Sequence, residues 1–593
     1  MARSSRRRRR AGGGGARPAA PRRASGATPA AARVQTAAPA PAPPPAPASP
    51  ASPKSHAPAA SGLLLIANQW VRGRDRAAVT DPFTGQVAAE VEHAGPRELD
   101  QALAAARAAE PVLAGWTRHR RAALLAEAAR LLQRDHEHLA GLVTREAGKP
   151  IRLARLEVDR AVRTFTVAAA EAIQPLGELH AVDSEPGGED YVARSERFPL
   201  GTVAAIAPFN FPLNLVAHKV APALAVGNPV VIKPPTQAPS AALHLGRLLV
   251  EAGAPPGAVN VVPCRPDVAQ ALATDPRVRM LSFTGSAEVG WRLRALAAEK
   301  RCVMELGGNA AAVVHSDADL EWAARRLALG AYLYAGQVCI AVQRVVAERS
   351  VLRRFARLLA HAAEDLPAGD PWDPATVVGP MIDSGARERV EEWVREALGR
   401  GATPLVAGGR RGAVLLPVLL EDAPEDARVC AEEVFGPVAV LSGYDTFEQA
   451  LEQVNRSRYG LQAGVFTQDA GRIERAFRTL DVGGVVVNDY PTLRFDHLPY
   501  GGVKASGQGR EGVRSGMLEM TEPRLLLQRV PGLSEARAGR PAAAPEPKPA
   551  APAAPPPHAT RPKPAGPPAP GPPRSSGGRA GRGRRAPRGR PHR

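Results

Sequence analysis

The run Met280-Leu-Ser-Phe-Thr-Gly-Ser-Ala-Glu-Val-Gly290 reads as a strand, a turn and the start of a helix. Residues 280–283 are apolar but for Ser282 and few enough for a buried strand, Gly285 marks the turn, and helical spacing follows over 287–300. A helix that begins this way leaves unpaired N–H groups, which favour a phosphate. The pattern is not the GxGxxG fingerprint, so its neighbours must supply the context. Gly201-Thr-Val-Ala-Ala-Ile-Ala207 and Pro229-Val-Val-Ile-Lys233 are two further apolar runs of strand length. A helix over 239–253 ends in a Gly/Pro-rich stop at 253–257, and 259–262 makes another strand. Strands alternating with helices of this length imply crossover units and a parallel sheet. Upstream, 97–113 and 118–147 carry helical spacing. Downstream, a second α/β region spans 309–487, with helices near 318–330, 348–363, 384–400, 446–456 and 470–479. Two segments, 190–199 and 519–528, fit neither half and suit a small protruding sheet.

Charge is spread unevenly over the 593 residues. The whole chain is +19, while residues 1–61 and 531–593 carry +11 each, which leaves −3 for 62–530. The middle is therefore an ordinary globular stretch, and its composition gives no argument for a nucleic-acid partner. The two ends are rich in Pro, Ala, Gly and Arg and lack the apolar residues that offset chain entropy, so they are expected to be disordered tails. Their Arg runs could hold nucleic acid or another polyanion, although charge runs are more often simply solvated. No stretch reaches the ~18 apolar residues of a membrane helix. No apolar segment follows Arg6–Arg10, which argues against a secretory signal and for a cytoplasmic protein. The four cysteines, Cys264, Cys302, Cys339 and Cys430, show no metal-ligand spacing and suggest reduced thiols.

Glu305-Leu-Gly-Gly308 and Gly336-Gln-Val-Cys339 are the first chemically informative pair. A cysteine just beyond a Gly turn can present its sulfur to a pocket, and a carboxylate elsewhere in that pocket can act as a base. A lone cysteine is usually a small buried hydrophobe, and a lone Glu is usually at the surface. Three segments alter that balance. Pro208-Phe-Asn-Phe-Pro-Leu213 sets an amide among apolar residues after a strand, where it suits an oxyanion. Ile232-Lys233-Pro-Pro235 puts a cation at the carboxyl edge of the sheet, where open α/β sheets bind ligands. The third is the strand–turn–helix run already quoted.

Seven motifs in order, PFNFPL, IKP, FTGSAEVG, ELGGN, GQVC, EEVFGPV and PYGGVKASGQGREG, resemble the aldehyde dehydrogenase superfamily from about Gly62 to Gln528. The resemblance implies a Rossmann-like cofactor domain over 62–183 and 201–307. It also implies a catalytic α/β domain over 308–487 and oligomerisation segments at 184–200 and 488–530. It further implies NAD(P)-dependent oxidation of an aldehyde to an acid. In that reading Cys339 resembles the nucleophile, Asn210 the oxyanion donor, Glu305 the base that activates water, and Lys219 a lysine behind the oxyanion. Lys233 and Ser286 resemble contacts to the adenosine ribose and the pyrophosphate, with Gly285 and Gly290 keeping that approach open. Glu433 and Phe435 resemble the nicotinamide-side contacts, and Pro208, Phe209 and Leu306 complete the cofactor set. Relatives that pass the acyl group to coenzyme A typically lack a glutamate at position 305, so hydrolysis to the free acid is expected. The family is usually dimeric or tetrameric, with 519–528 as the exchanged strand.

One position departs from the NAD-preferring pattern. Where many such relatives carry a Glu, this chain has Thr236, in a Lys-Pro-Pro-Thr-Gln run similar to the NADP-using non-phosphorylating glyceraldehyde-3-phosphate branch. A carboxylate there repels a 2′-phosphate and Thr does not, so NADP is expected to be accepted or preferred. Arg494 and His497 are expected near the substrate mouth, where a guanidinium could hold an anionic tail; the alternative is an Arg494–Asp496 surface pair. Phe211 and His218 are expected to line the tunnel. Val338 supplies no cation for a phosphorylated substrate, so a small hydroxylated or anionic aldehyde, such as lactaldehyde or a semialdehyde, is favoured. The competing function is a polyanion-binding scaffold with Arg-rich tails on an inactive core; the intact trio Asn210, Glu305 and Cys339 argues against it.

Overall fold

The computed structural model describes residues 62–539. The basic runs expected to form disordered, polyanion-binding tails lie outside them, except for 531–539. Among the described residues, no helix is long and apolar enough to cross a membrane.

The first sheet has eight strands. Its five central strands, Val259–Val261, Val230–Lys233, Val203–Ile206, Met280–Thr284 and Arg301–Glu305, lie side by side in that order and all run parallel. The chain fills one half of this set outward from Val203–Ile206 and the other half outward from Met280–Thr284. The strand order therefore reverses between those two strands. A crevice opens at such a reversal, outside the carboxyl ends, and that is where open sheets bind ligands. All four residues of Val203–Ile206 and of Val230–Lys233 are buried, as continuous apolar runs require when helices cover both faces.

The second sheet has seven strands and is parallel except for its edge strand Thr403–Ala407. At its centre Ala310–Val314 pairs with Val342–Glu348 and Gln462–Phe466. A third, antiparallel sheet joins Thr521–Arg529 to Tyr191–Pro199 and then to Glu178–His180. The protruding sheet expected from 190–199 and 519–528 is thus present, with Glu178–His180 as an additional strand.

Several boundaries differ from those expected. The periodic stretch 118–147 is two helices, Arg118–Arg134 and His136–Ala147, broken at Asp135. Gly507–Gln508 joins the edge of the first sheet, and the helix Val513–Glu519 packs on the helix Asn214–Val226. Most of 488–520 therefore belongs to the body and not to the protruding sheet. Residues 531–539, expected to be tail, carry the helix Leu533–Ala538, whose Ser534 donates from backbone N–H (3.0 Å) and hydroxyl (2.7 Å) to Asp190.

Candidate active site

Cys339 stands at the end of a strained turn. Tyr334, Ala335 and Gly336 are all left-handed, with φ of 52°, 53° and 68°. Non-glycine residues adopt that conformation only when their surroundings enforce it. Gln337 is the clamp: its side-chain amide donates to Tyr334 O (3.2 Å) and Pro380 O (3.1 Å), and its Oε1 accepts the Ile382 N–H at 2.9 Å. The Gln337 carbonyl accepts from Asn210 Nδ2 at 2.9 Å, which ties the amide of the PFNFPL segment to the nucleophile turn. Behind that segment, buried Glu157 accepts the N–H groups of Leu213 and Asn214, and Lys149 contacts it at 2.5 Å. The Lys149 ammonium also lies 3.4 Å from the Phe211 ring centroid, which fixes the ring beside the turn.

Glu305 ends its strand in the same space. It is buried, and neither carboxyl oxygen has a hydrogen-bond partner. Burial, then the neighbouring Glu511 carboxylate, holds its pKa well above the usual carboxylate range. Gly308 shows why the following residues are glycines: a Cβ there would sit 2.3 Å from the Cys339 carbonyl oxygen. Without a side chain at 308, the loop after Glu305 can lie directly against the Cys339 backbone.

Cys339 Sγ lies 3.2 Å from the Tyr500 hydroxyl. Burial pushes the thiol up to about 11; the Tyr500 contact and Arg494 act against that, while Glu433 and Glu305 add to it. Lys219 is fully buried and donates to Ser282 Oγ (3.1 Å), Thr284 Oγ1 (2.7 Å) and Glu511 Oε1 (2.8 Å). The other Glu511 oxygen takes Arg494 Nη2 at 3.1 Å. Burial raises the Glu511 pKa, but Lys219 and Arg494 outweigh it and bring it down to about 2.

The residues expected to contact the cofactor collect at the carboxyl edge of the first sheet. Lys233 Nζ is 3.1 Å from Thr236 Oγ1, and burial lowers its pKa. No carboxylate lies within ion-pair distance of it among the described residues. Ser286 caps the helix Ala287–Leu296 through the Val289 N–H. Glu433 accepts the Gly308 N–H at 2.9 Å, and burial pushes its pKa up to about 7. Phe209 meets Phe435 edge to face at 5.8 Å, with Phe435 itself left-handed at φ 46°. Pro208 lies in the same segment, just past Val203–Ile206. Gly285 and Gly290, expected to keep a phosphate approach open, have a further reason to lack side chains. A Cβ on Gly290 would meet the Leu306 side chain at 2.2 Å, and one on Gly285 would meet the Phe283 ring at 2.6 Å, so both serve packing.

On the substrate side the sequence is partly overruled. Arg494 is near the nucleophile but buried, and it pairs with Glu511 and not with Asp496; its Nε is buried without a partner. Asp496 instead takes a bidentate contact from Arg160 (2.7 and 3.0 Å) and Nε2 of buried His218 at 2.9 Å. Burial, then Arg494, keeps His218 below its ordinary pKa, and its Nδ1 has no partner. A turn closed by Leu498 N–H to Phe495 O (3.1 Å) points Asp496 inward and leaves His497 exposed. Glu511, Tyr500 and Arg160 were not singled out by sequence reasoning. The first two lie inside the PYGGVKASGQGREG motif, and Arg160 has no local signal because its partner is 336 residues away.

The aldehyde dehydrogenase family model matches residues 70–526. A 3-sulfolactaldehyde dehydrogenase from Priestia aryabhattai is 41% identical over 465 residues, covering 78% of this chain and 97% of its own. Aldehyde dehydrogenase 21 from Physcomitrella patens, solved with the reaction product succinate, is 40% identical, with a TM-score of 0.77 over 79% of this chain and 98% of its own. A glyceraldehyde-3-phosphate dehydrogenase from Methanocaldococcus jannaschii, solved with NADP, is 34% identical, with a TM-score of 0.73 over 76% of this chain and 98% of its own. With a sheet reversal at Met280–Thr284 and a cysteine, an amide and an unpartnered carboxyl gathered on one turn, this chain belongs to the aldehyde dehydrogenase family.

Proposed function

We propose that the enzyme oxidises a short aldehyde with an anionic tail, using NAD or NADP, and releases the free acid by hydrolysing a thioester on Cys339. The observation that carries this reading is the approach of the Glu305 loop to the nucleophile turn at Gly308, with Asn210 anchored to the same turn.

Cys339 attacks the aldehyde carbon as the thiolate. The carbonyl oxygen becomes an oxyanion, and the second N–H of Asn210 Nδ2, with the Cys339 backbone N–H, is suited to hold it. A fixed donor of this kind is worth ~10²–10³ in rate. Bound NAD or NADP supplies the hydride acceptor that turns the thiohemiacetal into a thioester. The buried Lys233 ammonium, which has no carboxylate partner, fits a ribose hydroxyl or a 2′-phosphate, with Thr236 beside it. Ser286 and its helix start fit the pyrophosphate. Glu433, Phe435, Phe209, Pro208 and Leu306 frame the nicotinamide side. Glu305 then takes a proton from water as the oxygen adds to the thioester carbon. The C–S bond breaks, and Cys339 departs as thiolate. The raised basicity of Glu305 suits this step. Lys219 and Arg494 keep Glu511 ionised behind it.

Arg494 supports an anionic substrate, because one 3.1 Å contact to Glu511 leaves its buried Nε free to donate. His218 faces Asp496 through Nε2, which therefore carries the proton, and Nδ1 is left to accept from a substrate hydroxyl. The relatives fit this chemistry: one is named for a sulfonated hydroxyaldehyde, and another holds a dicarboxylate product. The test is a panel of succinic semialdehyde, lactaldehyde and propanal with both cofactors. Cys339→Ala is expected to abolish turnover. Wild type should favour the anionic aldehyde by about tenfold or more in kcat/KM, and Arg494→Met should erase most of that ratio, since one charged hydrogen bond is worth roughly 1.5–3 kcal/mol. Equal use of propanal, or turnover by Cys339→Ala, contradicts the reading.

A further inference from the structure

Tyr500 is the neighbour of Cys339 that the mechanism has not used. Its ring is buried, and its hydroxyl is 3.2 Å from Sγ. Among the described residues the sulfur is the hydroxyl's only hydrogen-bond partner. The Arg494 guanidinium lies 3.9 Å from the ring centroid, close enough for a cation–π contact. Four groups face the sulfur: Glu305 from the end of the first sheet, Glu433 from the segment before Val438–Tyr444, and Arg494 and Tyr500 from the loop past Gly484–Val487. Both carboxylates oppose ionisation of the thiol, as does burial; Arg494 and Tyr500 favour it.

A thiol is a weak donor, whereas a thiolate is a strong acceptor and a phenol is a good donor. We propose that Tyr500 is a catalytic residue that donates its O–H to the Cys339 thiolate, with Arg494 over the ring strengthening that donor. This rests on Cys339 being the nucleophile. When the S–H bond breaks the proton passes to water, and Tyr500 keeps its own. Forming the C–S bond withdraws the acceptor from Tyr500, and breaking the thioester C–S bond restores it. The same O–H therefore holds the nucleophile before attack and the leaving group after hydrolysis.

Iodoacetamide labelling of the full-length protein tests this, read as the rate at which the Cys339 peptide gains mass at fixed pH between 7 and 9, where the thiolate is the minor form. No aldehyde is needed, so the outcome is separate from whether any given substrate is oxidised. In Tyr500→Phe the labelling rate at pH 7.5 should fall roughly tenfold, as loss of one charged hydrogen bond predicts. Melting temperature and NADP binding report whether that variant is folded. Replacing Tyr500 with 3-fluorotyrosine keeps the shape and makes the phenol a stronger donor, so the rate should rise. An unchanged rate in either folded variant, or a change in the opposite direction, overturns the proposal.

Discussion

Thr236 illustrates how much one side chain governs. Its hydroxyl touches the buried Lys233 ammonium at 3.1 Å, and nothing there opposes an added phosphate. Thr236→Glu would pair with that ammonium and repel a 2′-phosphate. The kcat/KM ratio of NADP to NAD should fall about 100-fold, nearly 3 kcal/mol. A wild-type preference for NAD above about 100-fold would remove the basis for this expectation. Residues with a local signature were legible from the sequence: Cys339 after its Gly turn, Asn210 after its strand, and Glu305 ahead of two glycines. Arg160, Asp496 and Glu511 were not, because each acquires its role from a partner that the fold brings near from far along the chain. Arg494 was half legible. Its proximity to the site was expected, but burial gave it Glu511 in place of Asp496.

At the level of elements, the apolar strands were readable because both faces of a central parallel sheet are covered. The helix Asn214–Val226 was not, since all 13 of its residues are buried and no polar face marks a helical period. The helix Ile151–Ala172 hides differently: Glu157 and Thr164 interrupt its buried stripe. Glu157 is there to meet the helix start at Leu213 and Asn214, so a polar residue in the stripe reflects the site. A comparable joint links the helix His136–Ala147 to the helix Ser240–Glu251. Glu146 Oε2 accepts the Ser240 N–H at 3.0 Å, its other oxygen has no partner, and burial pushes its pKa up to about 7. An acid whose pKa is raised on folding contributes stability below its unfolded value, near 4.5, and loses it as pH climbs through 7. Glu146→Gln keeps an acceptor and removes the titration. Its unfolding free energy should exceed wild type by about 1–3 kcal/mol at pH 8 and match it at pH 5, measured by denaturant melts. Equal differences at both pH values would exclude this account.

For the molecule as a whole, the protruding sheet is the least self-sufficient part. Thr521–Arg529 is an edge strand, and its Leu525, Leu526 and Leu527 are 65%, 46% and 53% exposed. An exposed apolar edge invites another chain. A second copy is the expected cover, so light scattering should give a dimer or tetramer of the 62.2 kDa chain, and Leu525→Glu with Leu527→Glu should give monomers. A monomeric wild type would exclude it. The sheet was legible from two stray strand-like segments, but its third strand, Glu178–His180, was not, because all three residues are exposed and a single Leu179 between two polar residues sets no pattern.

The proposed cycle needs both sheets, since one supplies Glu305 and the loop before Val342–Glu348 of the other supplies Cys339. The most direct test is Glu305→Gln mixed with succinic semialdehyde and NADP. The account predicts one NADPH per site in a rapid burst, an acyl mass on the Cys339 peptide, and steady turnover reduced by roughly 10²–10⁴. Undiminished turnover, or a burst without acylated Cys339, would contradict it.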